Sequence, residues 1–229
     1  MQAMIFSAQS AAALQKVRGR SLIVWHILNL VRAEVTDIFL QHDDDSGMLQ
    51  AALGDGTQFG ARLRYYGAAP TPDHARRLPE LFDGAPFIGI TDTVYCPHYP
   101  FASLFAALEE SDLWGNPYPE HARDMAWISL VKNPSPETDG DFALTSFAVC
   151  NTGQPRHTFA GIGIYRPQIF HSVPIGQAIN LPLLLQNLAQ QAQVGGDLYR
   201  GDWANADNAA QCALLNRPFS APAYPGQAS

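Results

Sequence analysis

Short apolar segments alternate with helix-like segments through the first half of the chain, and this alternation limits the possible folds more than any other feature. Segments 3–8, 36–41 and 61–66 have the pattern of strands, and 21–33 and 47–53 have that of helices. Strands separated by helices favour parallel pairing, because each crossover returns the chain to the same edge of the sheet. The sequence therefore predicts an α/β fold, with a Rossmann-like, mixed and mostly parallel sheet flanked by helices.

The second half is richer in strands. The apolar segment 86–91 predicts a central strand covered on both faces, and a Pro- and Gly-rich stretch at 111–124 predicts a surface excursion. Further strands are predicted at 126–131, 142–149, 157–165 and 198–201, and further helices at 101–109, at 179–191 and after Asn205. We predict a single domain over 1–217 and a disordered tail over 218–229, which is rich in Pro, Gly, Ser and Ala.

Charge and composition exclude several classes of protein. The formal net charge is −7, and the two lysines are Lys16 and Lys132, so we expect no nucleic-acid partner, which would need a basic face. No apolar run reaches the roughly 18 residues that a membrane span requires, so we expect no membrane partner. Three cysteines without a close pair favour a reducing compartment, and we expect a cytoplasmic protein.

A set of short motifs keeps one order along nearly the whole chain. The central one is LGDGTQFGARLRYY at 53–66, a Gly-Asp-Gly turn and a Phe-Gly pair before a strand. It resembles the corresponding stretch of the sugar-1-phosphate nucleotidyltransferases, and especially of a small bacterial subgroup that makes UDP-N-acetylmuramate- or GDP-mannose-type products. The other matching motifs, in order, are MQAMIFSA, LIVWHILNL, VTDIFLQH, LVKNPSP, GDF, TFAGIGIYRPQIF, LPLLL and YRGDW.

The resemblance implies a nucleotide-binding loop at 6–19, but this segment differs from the family pattern. The family has a Gly-rich loop whose backbone N–H groups approach the phosphates, an Arg within it and a Lys just after it. Here the nucleotide-binding positions are Ala8, Gln9 and Ser10, and side chains at such positions hinder the approach of phosphate. The family lysine falls on Ala12, so Lys16 is the nearest candidate for its catalytic role; it could equally be a solvated surface residue.

The resemblance also implies two aspartates that hold Mg²⁺. Their positions are occupied by Thr93 and Asn205, while Asp92 and Asp207 lie close by in sequence. Asp92 is thus a catalytic and metal-binding candidate if the strand ends in a bulge, and otherwise a turn or capping residue. Asn205 and Asp207 are the other metal candidates, although Asn is a neutral ligand and Asp207 could cap the last helix.

The sugar side is better matched. Asn133, Thr158, Gly161 and Ile162 fall where the family lines its sugar pocket, and neutral donors there could hold hydroxyl groups. The alternative is that they form only a turn and a close-packed strand. Lys132 would lie next to this pocket, either near a sugar phosphate or as a plain surface charge.

Three hypotheses follow for function. The first is a catalytically impaired or silent nucleotidyltransferase homologue that binds a sugar phosphate, a sugar nucleotide or a partner subunit. The second is an active, divergent enzyme that uses Mg²⁺ with Asp92, Asp207 and Lys16. The third is a non-catalytic interaction protein that contacts its partner through the aromatic and Pro-rich segment 114–121. The partner would be another protein or a second copy of this chain.

Overall fold

The fold is given by a computed structural model, which describes residues 1–7, 10–42, 47–67, 75–105, 125–135, 138–175, 177 and 179–217. The predicted excursion, the segment 114–121 and the tail 218–229 lie outside these residues, as do Ala8 and Gln9. Within the described part of the chain, no helix has both the length and the apolar character needed to cross a membrane.

The strands are β1 Gln2–Phe6, β2 Lys16–Val17, β3 Arg20–Ser21, β4 Asp37–His42, β5 Arg62–Gly67, β6 Phe87–Thr91, β7 Val94–Tyr95, β8 Ala126–Val131, β9 Phe142–Thr145, β10 Ala148–Cys150, β11 Arg156–Tyr165, β12 Val194–Leu198 and β13 Ala204–Asn205. The α-helices with defined ends are α1 Ser10–Ala13, α2 Leu22–Arg32, α3 Met48–Leu53, α4 Leu78–Leu81, α5 Leu181–Gln190 and α6 Ala209–Leu215. Short 3₁₀ helices cover Thr57–Phe59, Ala75–Arg77 and Pro167–Ser172. The helix predicted at 101–109 is present over 101–105, where the described residues end.

The main sheet has nine strands in the order β5-β4-β1-β6-β11-β8-β12-β10-β9. Its first four strands are parallel, as the alternation with helices predicts, and β8 and β12 form another parallel pair. Strand β11 runs antiparallel to both β6 and β8 and so joins the two parallel portions. The predicted mixed α/β sheet is therefore confirmed.

Each face of the sheet carries its own hydrophobic core. On β1, Ala3 and Ile5 pack in a cluster with the apolar side chains of α2 and α3, while Met4 packs in a second cluster with α5 and the Pro167–Ser172 helix. Consecutive strand residues point to opposite faces, so a strand covered on both sides must be apolar throughout. The same reason explains the apolar sequence of β6, which lies between β1 and β11 as expected for a central strand.

The prediction of a single strand at 142–149 is wrong. The segment is a hairpin, in which β9 turns into β10 through Ser146 and Phe147, with φ angles of 45° and 68°. Turns of this kind usually use Gly or Asn, because a positive φ strains other residues. Neither residue is present, so the pattern gave no signal for the turn.

The strand predicted at 198–201 is also displaced, since β12 ends at Leu198. The sequence pattern did not predict β12 because Gly195 and Gly196 are typical of a break in a strand. Here both glycines are needed for packing against β8: a Cβ on Gly195 would lie 2.6 Å from the Trp127 ring, and one on Gly196 would lie 2.4 Å from the Ile128 carbonyl oxygen.

Candidate functional site

The two positions of the predicted metal aspartates meet at a small ladder beside the main sheet. Strand β7 follows Thr93 and pairs with β13, with Val94 opposite Asn205. The backbone N–H of Ala206 also donates to the carbonyl oxygen of Thr93 at 2.7 Å. Residues more than a hundred positions apart in sequence are thereby held side by side at one edge of a pocket.

Helix α2 supports this ladder with two buried polar side chains. Asn29 Nδ2 donates to the carbonyl oxygen of Cys96 at 2.7 Å, just after β7. His26 is hydrogen-bonded to the backbone of Val94 and is buried, and burial lowers the pKa of its imidazole to about 4. At neutral pH His26 is therefore an uncharged part of the scaffold behind the site.

The pocket in front of this ladder has a volume of about 240 Å³. It contains polar groups suited to hydroxyl recognition together with aromatic side chains. Its described lining residues are Thr91, Thr93, Val94, Asp141, Phe142, Thr158, Phe159, Gly161, Pro182, Gln186, Trp203 and Asn205. We call it the β7–β13 pocket. Of the predicted site residues, Thr158, Gly161 and Asn205 lie in it.

An irregularity in β11 shapes the floor of the pocket. Between Phe159 and Gly163, β11 has more residues than the facing segment of β8, so the pairing register shifts there. Gly161 lies in this bulge with φ +75°, and a Cβ on it would come within 2.2 Å of Thr91 Oγ1. Trp203 Nε1 donates to the carbonyl oxygen of Ala160 at 2.9 Å, which fixes the indole against the bulge.

Asp141 and Thr158 are each held in place by a neighbour. The backbone N–H of Phe159 donates to Asp141 Oδ2 at 2.8 Å, and Thr158 Oγ1 donates to Asn133 Oδ1 at 3.0 Å. Asn133 Nδ2 in turn donates to the carbonyl oxygen of Thr138 at 2.7 Å. Asn133 therefore lies behind Thr158, outside the lining of the β7–β13 pocket.

The remaining candidates lie elsewhere. The side chain of Ile162 is 1% exposed and belongs to the hydrophobic core. Asp92 is 2% exposed at the end of β6, where its N–H donates to the carbonyl oxygen of Phe6 at 3.1 Å, and it is not part of the pocket lining. Lys132 lines a different cavity, and Lys16 is exposed on β2.

Asp207 is exposed next to Asn205. Its carboxylate accepts from Asn205 Nδ2 at 2.9 Å and from Asn208 Nδ2 at 2.7 Å. The cap of α6 is Asn208, whose Oδ1 accepts from the Gln211 N–H at 3.0 Å. Capping by Asp207 is therefore wrong by one residue.

The described part of the segment between β1 and α2 is a packed hairpin. Ser10 begins α1, and β2 pairs with β3 through a turn at Arg18 and Gly19. Val17 is fully buried against Ala206 and Cys212. Trp25 Nε1 donates to the Val17 carbonyl oxygen at 2.8 Å, so α2 also holds the hairpin.

Asn216, the C-cap of α6, binds the same hairpin from the other end of the described chain. Asn216 Nδ2 donates to the carbonyl oxygen of Lys16 at 2.8 Å, and its Oδ1 accepts from the Arg18 N–H at 2.7 Å. The N–H groups of Gln15 and Leu22 donate to the carbonyl oxygens of Ala12 and Gln15, both at 3.0 Å. These backbone donors thus have partners within the protein.

The described lining residues of the pocket offer Mg²⁺ at most one carboxylate. Thr93 and Asn205 are neutral, and the one carboxylate among the described lining residues, Asp141, already accepts the N–H of Phe159. Mg²⁺ is usually bound through one or two carboxylates with near-octahedral geometry. Across the described residues, no group of three His, Cys, Asp or Glu side chains is placed to hold a metal ion.

The sequence motifs contained five described pocket residues that were not predicted as site residues: Asp141, Phe142, Phe159, Pro182 and Trp203. Among these, Asp141 belongs to the GDF motif and Trp203 to the YRGDW motif. Both motifs helped to define the resemblance, but nothing in their spacing indicated that their side chains converge with Thr158. Pro182 in the LPLLL motif and Gln186 just after it were missed because they reach the pocket from α5, whose place against the sheet depends on tertiary packing.

Comparisons with known proteins define first the fold and then the family. A solved structure from Bacillus anthracis, assigned as a glucose-1-phosphate thymidylyltransferase in complex with a sucrose, superposes with a TM-score of 0.72 over 94% of each chain, at 13% identity. At that identity the likeness shows the fold, which is that of the nucleotide-diphospho-sugar transferases.

In sequence, the chain is 31% identical over 198 residues to the N-acetylmuramate alpha-1-phosphate uridylyltransferase of Neisseria meningitidis serogroup B. The match covers 83% of this chain and 81% of that protein. This relative shows that the protein belongs to the sugar-1-phosphate nucleotidyltransferase family. No family model matches the chain.

Proposed function

We propose that this protein binds a sugar phosphate or a sugar nucleotide and transfers nucleotidyl groups weakly or not at all. The observation that carries the proposal is the meeting of Thr93 and Asn205 at the edge of the β7–β13 pocket. Nucleotidyl transfer accumulates negative charge, which a metal ion or fixed positive groups must stabilise. Thr93 and Asn205 themselves offer a metal ion no carboxylate ligand, and we expect that stabilisation to be weakened.

The packed hairpin before α2 supports the same proposal. A phosphate cradle requires backbone N–H groups that point at the ligand without a partner in the protein. The N–H groups of Gln15, Arg18 and Leu22 donate instead to protein oxygens. Binding of a triphosphate by these N–H groups would cost the hydrogen bonds that they make within the protein.

The pocket itself favours the sugar portion of a ligand. Asp141, Thr158 and Gln186 offer hydrogen-bonding groups, while Trp203 and Phe159 offer apolar ring surface. Neutral donors, one carboxylate and aromatic rings are suited to hydroxyl-bearing ligands. Among the described lining residues none is Lys or Arg, so we expect the hydroxyl groups to provide more of the affinity than the phosphate.

Calorimetric titration and a turnover assay test the proposal together. We expect N-acetylmuramate 1-phosphate or a hexose 1-phosphate to bind wild-type protein, and Thr158→Val to weaken this binding. We also expect no pyrophosphate release when nucleoside triphosphate and Mg²⁺ are added. Turnover at ordinary enzyme rates, on the order of 1–1000 s⁻¹, would refute the proposal, and so would the absence of binding by both sugar phosphates and a UDP-sugar.

A gain-of-metal variant tests the geometry of the site separately. If Thr93 and Asn205 face the same space, Thr93→Asp with Asn205→Asp should create a pair of carboxylates there. We expect Mn²⁺ to bind this variant at least about ten-fold more tightly than wild type, because two charged oxygen ligands replace neutral ones. The matched control is Thr145→Asp with Asn187→Asp, which adds the same charge at exposed positions elsewhere. Equal Mn²⁺ binding by both variants would contradict the proposed geometry.

The second candidate function is an active, divergent nucleotidyltransferase. It is favoured by the 31% identity to a protein named as a uridylyltransferase. In this case Asp92, Asp207 and Lys16 would act from shifted positions. Pyrophosphate release that is abolished by Asp92→Asn, and retained in the exposed control Asp139→Asn, would establish this candidate in place of the first.

A further inference from the structure

A second cavity lies where β8 and β12 end. These strands are parallel, with Leu130 aligned with Leu198, and the Tyr199 N–H donates to the carbonyl oxygen of Leu130 at 2.8 Å. Lys132 and Arg200 each follow two residues after this last aligned pair. Both side chains are exposed and line a cavity of about 840 Å³, which we call the β8–β12 cavity.

The cavity wall is positively charged. Its described lining residues are Lys132, Asn133, Pro134, Ser135, Pro155, Arg156, His157, Leu198, Tyr199 and Arg200, and none of these is Asp or Glu. The ion pairs found among the described residues join arginines to Asp37 and Glu80 and lie elsewhere. Three cationic side chains therefore share one wall in a chain whose net charge is −7.

Arg156 contributes a fixed charge to this wall. Its guanidinium donates to three backbone carbonyl oxygens, those of Gly140 at 3.3 Å, Asp141 at 2.6 Å and Asn151. These bonds hold the side chain in one position, and no carboxylate of the described residues forms an ion pair with it. For the side chains of Lys132 and Arg200, by contrast, the structure shows no hydrogen bond or ion pair to another described residue.

The β8–β12 cavity is separate from the β7–β13 pocket. His157 lines the former and Thr158 the latter, as expected for neighbouring residues of a strand. The hydrogen bond from Thr158 to Asn133 lies in the wall between them. A ligand in one space can therefore be removed by substitutions that leave the other unchanged.

We propose that the β8–β12 cavity binds a phosphate-bearing small molecule through Lys132 and Arg200. Two like charges on one cavity wall repel each other, and an anion bound against that wall offsets the repulsion and gains charge-assisted hydrogen bonds. The fixed charge of Arg156 adds to the attraction. The volume is within the range of small-molecule sites, so a ligand with more than one phosphate fits better than inorganic phosphate alone.

The test is calorimetric titration of the full chain with pyrophosphate in the absence of divalent metal. We expect binding by wild type, and a loss of affinity on the order of ten-fold to a hundred-fold in the variant Lys132→Gln with Arg200→Gln, because two charge-assisted hydrogen bonds are removed. Uridine triphosphate and inorganic phosphate are titrated in parallel to tell a nucleotide ligand from a free anion. Both substituted residues are exposed, and a thermal melt checks that the variant is folded.

Two further variants make the result decisive. Lys132→Arg with Arg200→Lys keeps the charge and should retain affinity within about three-fold, whereas Arg77→Gln with Arg217→Gln removes two exposed charges elsewhere and should leave affinity unchanged. If both charge-removing variants weakened pyrophosphate binding equally, the effect would come from net charge alone, and the proposal would be overturned. The absence of pyrophosphate and nucleotide binding by wild type at millimolar concentration would overturn it as well.

Discussion

Substitution of Gly161 by Ala tests the bulge that forms the floor of the β7–β13 pocket. Two costs can be worked out from the structure. Gly161 has φ +75°, and a left-handed conformation costs a residue with a Cβ roughly 1–2 kcal/mol. The new Cβ would also lie 2.2 Å from Thr91 Oγ1 and 2.9 Å from Val94 Cγ1, and overpacking of this kind typically costs about 1–3 kcal/mol. We therefore expect Gly161→Ala to lower the free energy of unfolding by about 2–5 kcal/mol.

A second glycine provides a matched control for backbone strain. Gly84 has nearly the same φ, +73°, but the nearest atom to a Cβ there is Gln168 Nε2 at 3.7 Å, an ordinary contact. Gly84→Ala should therefore show the cost of strain without the cost of overlap, roughly 1–2 kcal/mol. The difference between the two variants measures the steric contact beneath the pocket.

Removal of the clashing hydroxyl should rescue part of the loss. In urea unfolding, Thr91→Ala combined with Gly161→Ala should be more stable than the sum of the single variants predicts, by about 1 kcal/mol. The reasoning is refuted if Gly161→Ala is no more destabilising than Gly84→Ala, or if the two substitutions at the pocket are additive.

Two other predictions concern the scaffold behind the site. The pKa of His26 falls from 6.5 to about 4 on folding. As the pH drops, the unfolded chain therefore binds a proton at His26 before the folded chain does. The free energy of unfolding should decrease progressively between about pH 6.5 and pH 4, by about 3 kcal/mol in all. Urea unfolding at several pH values should show a shallower decline for His26→Gln, whereas the exposed control His98→Gln should follow wild type, and parallel curves for all three would contradict the assignment. Asn216→Ala removes both hydrogen bonds to the hairpin. The Arg18 amide should then exchange its hydrogen at least about ten-fold faster, while the β1 amides stay protected. Unchanged exchange at Arg18 would mean that the Asn216 side chain does not hold the hairpin.

The fold could be predicted well from the sequence where burial alone determines the pattern. Strands β1 and β6 are covered on both faces, so their segments had to be apolar, and the helix at 22–32 had to keep one apolar side. Elements fixed by close packing were harder to predict. In sequence, Gly195 and Gly196 are typical of a break in a strand. Only the structure shows that the ring of Trp127 and the backbone of β8 pack against them and leave no room for a Cβ.

The candidate site was predictable only in part, for a similar reason. Motif order could place Thr93 and Asn205 at equivalent family positions, and the β7–β13 ladder brings both to one pocket. It could not reveal that Asn133 supports Thr158 from behind, because the direction of a side chain after a strand end depends on the local backbone. The contribution of α5 to the pocket depends on tertiary packing, which leaves no local pattern.

The attachment of the β2–β3 hairpin to Asn216 has a consequence for the order of folding. Its hydrogen bonds join residues 198 and 200 positions apart, so the hairpin gains them only when nearly the whole chain has been synthesised. Contacts between distant residues carry the largest cost of loop closure and form late. The parallel strands can pair earlier, but the N-terminal segment has to wait for the last helix. A ribosome-bound chain that ends before α6 should therefore expose Val17, and protease cleavage near the hairpin would report when the C-terminal helix arrives.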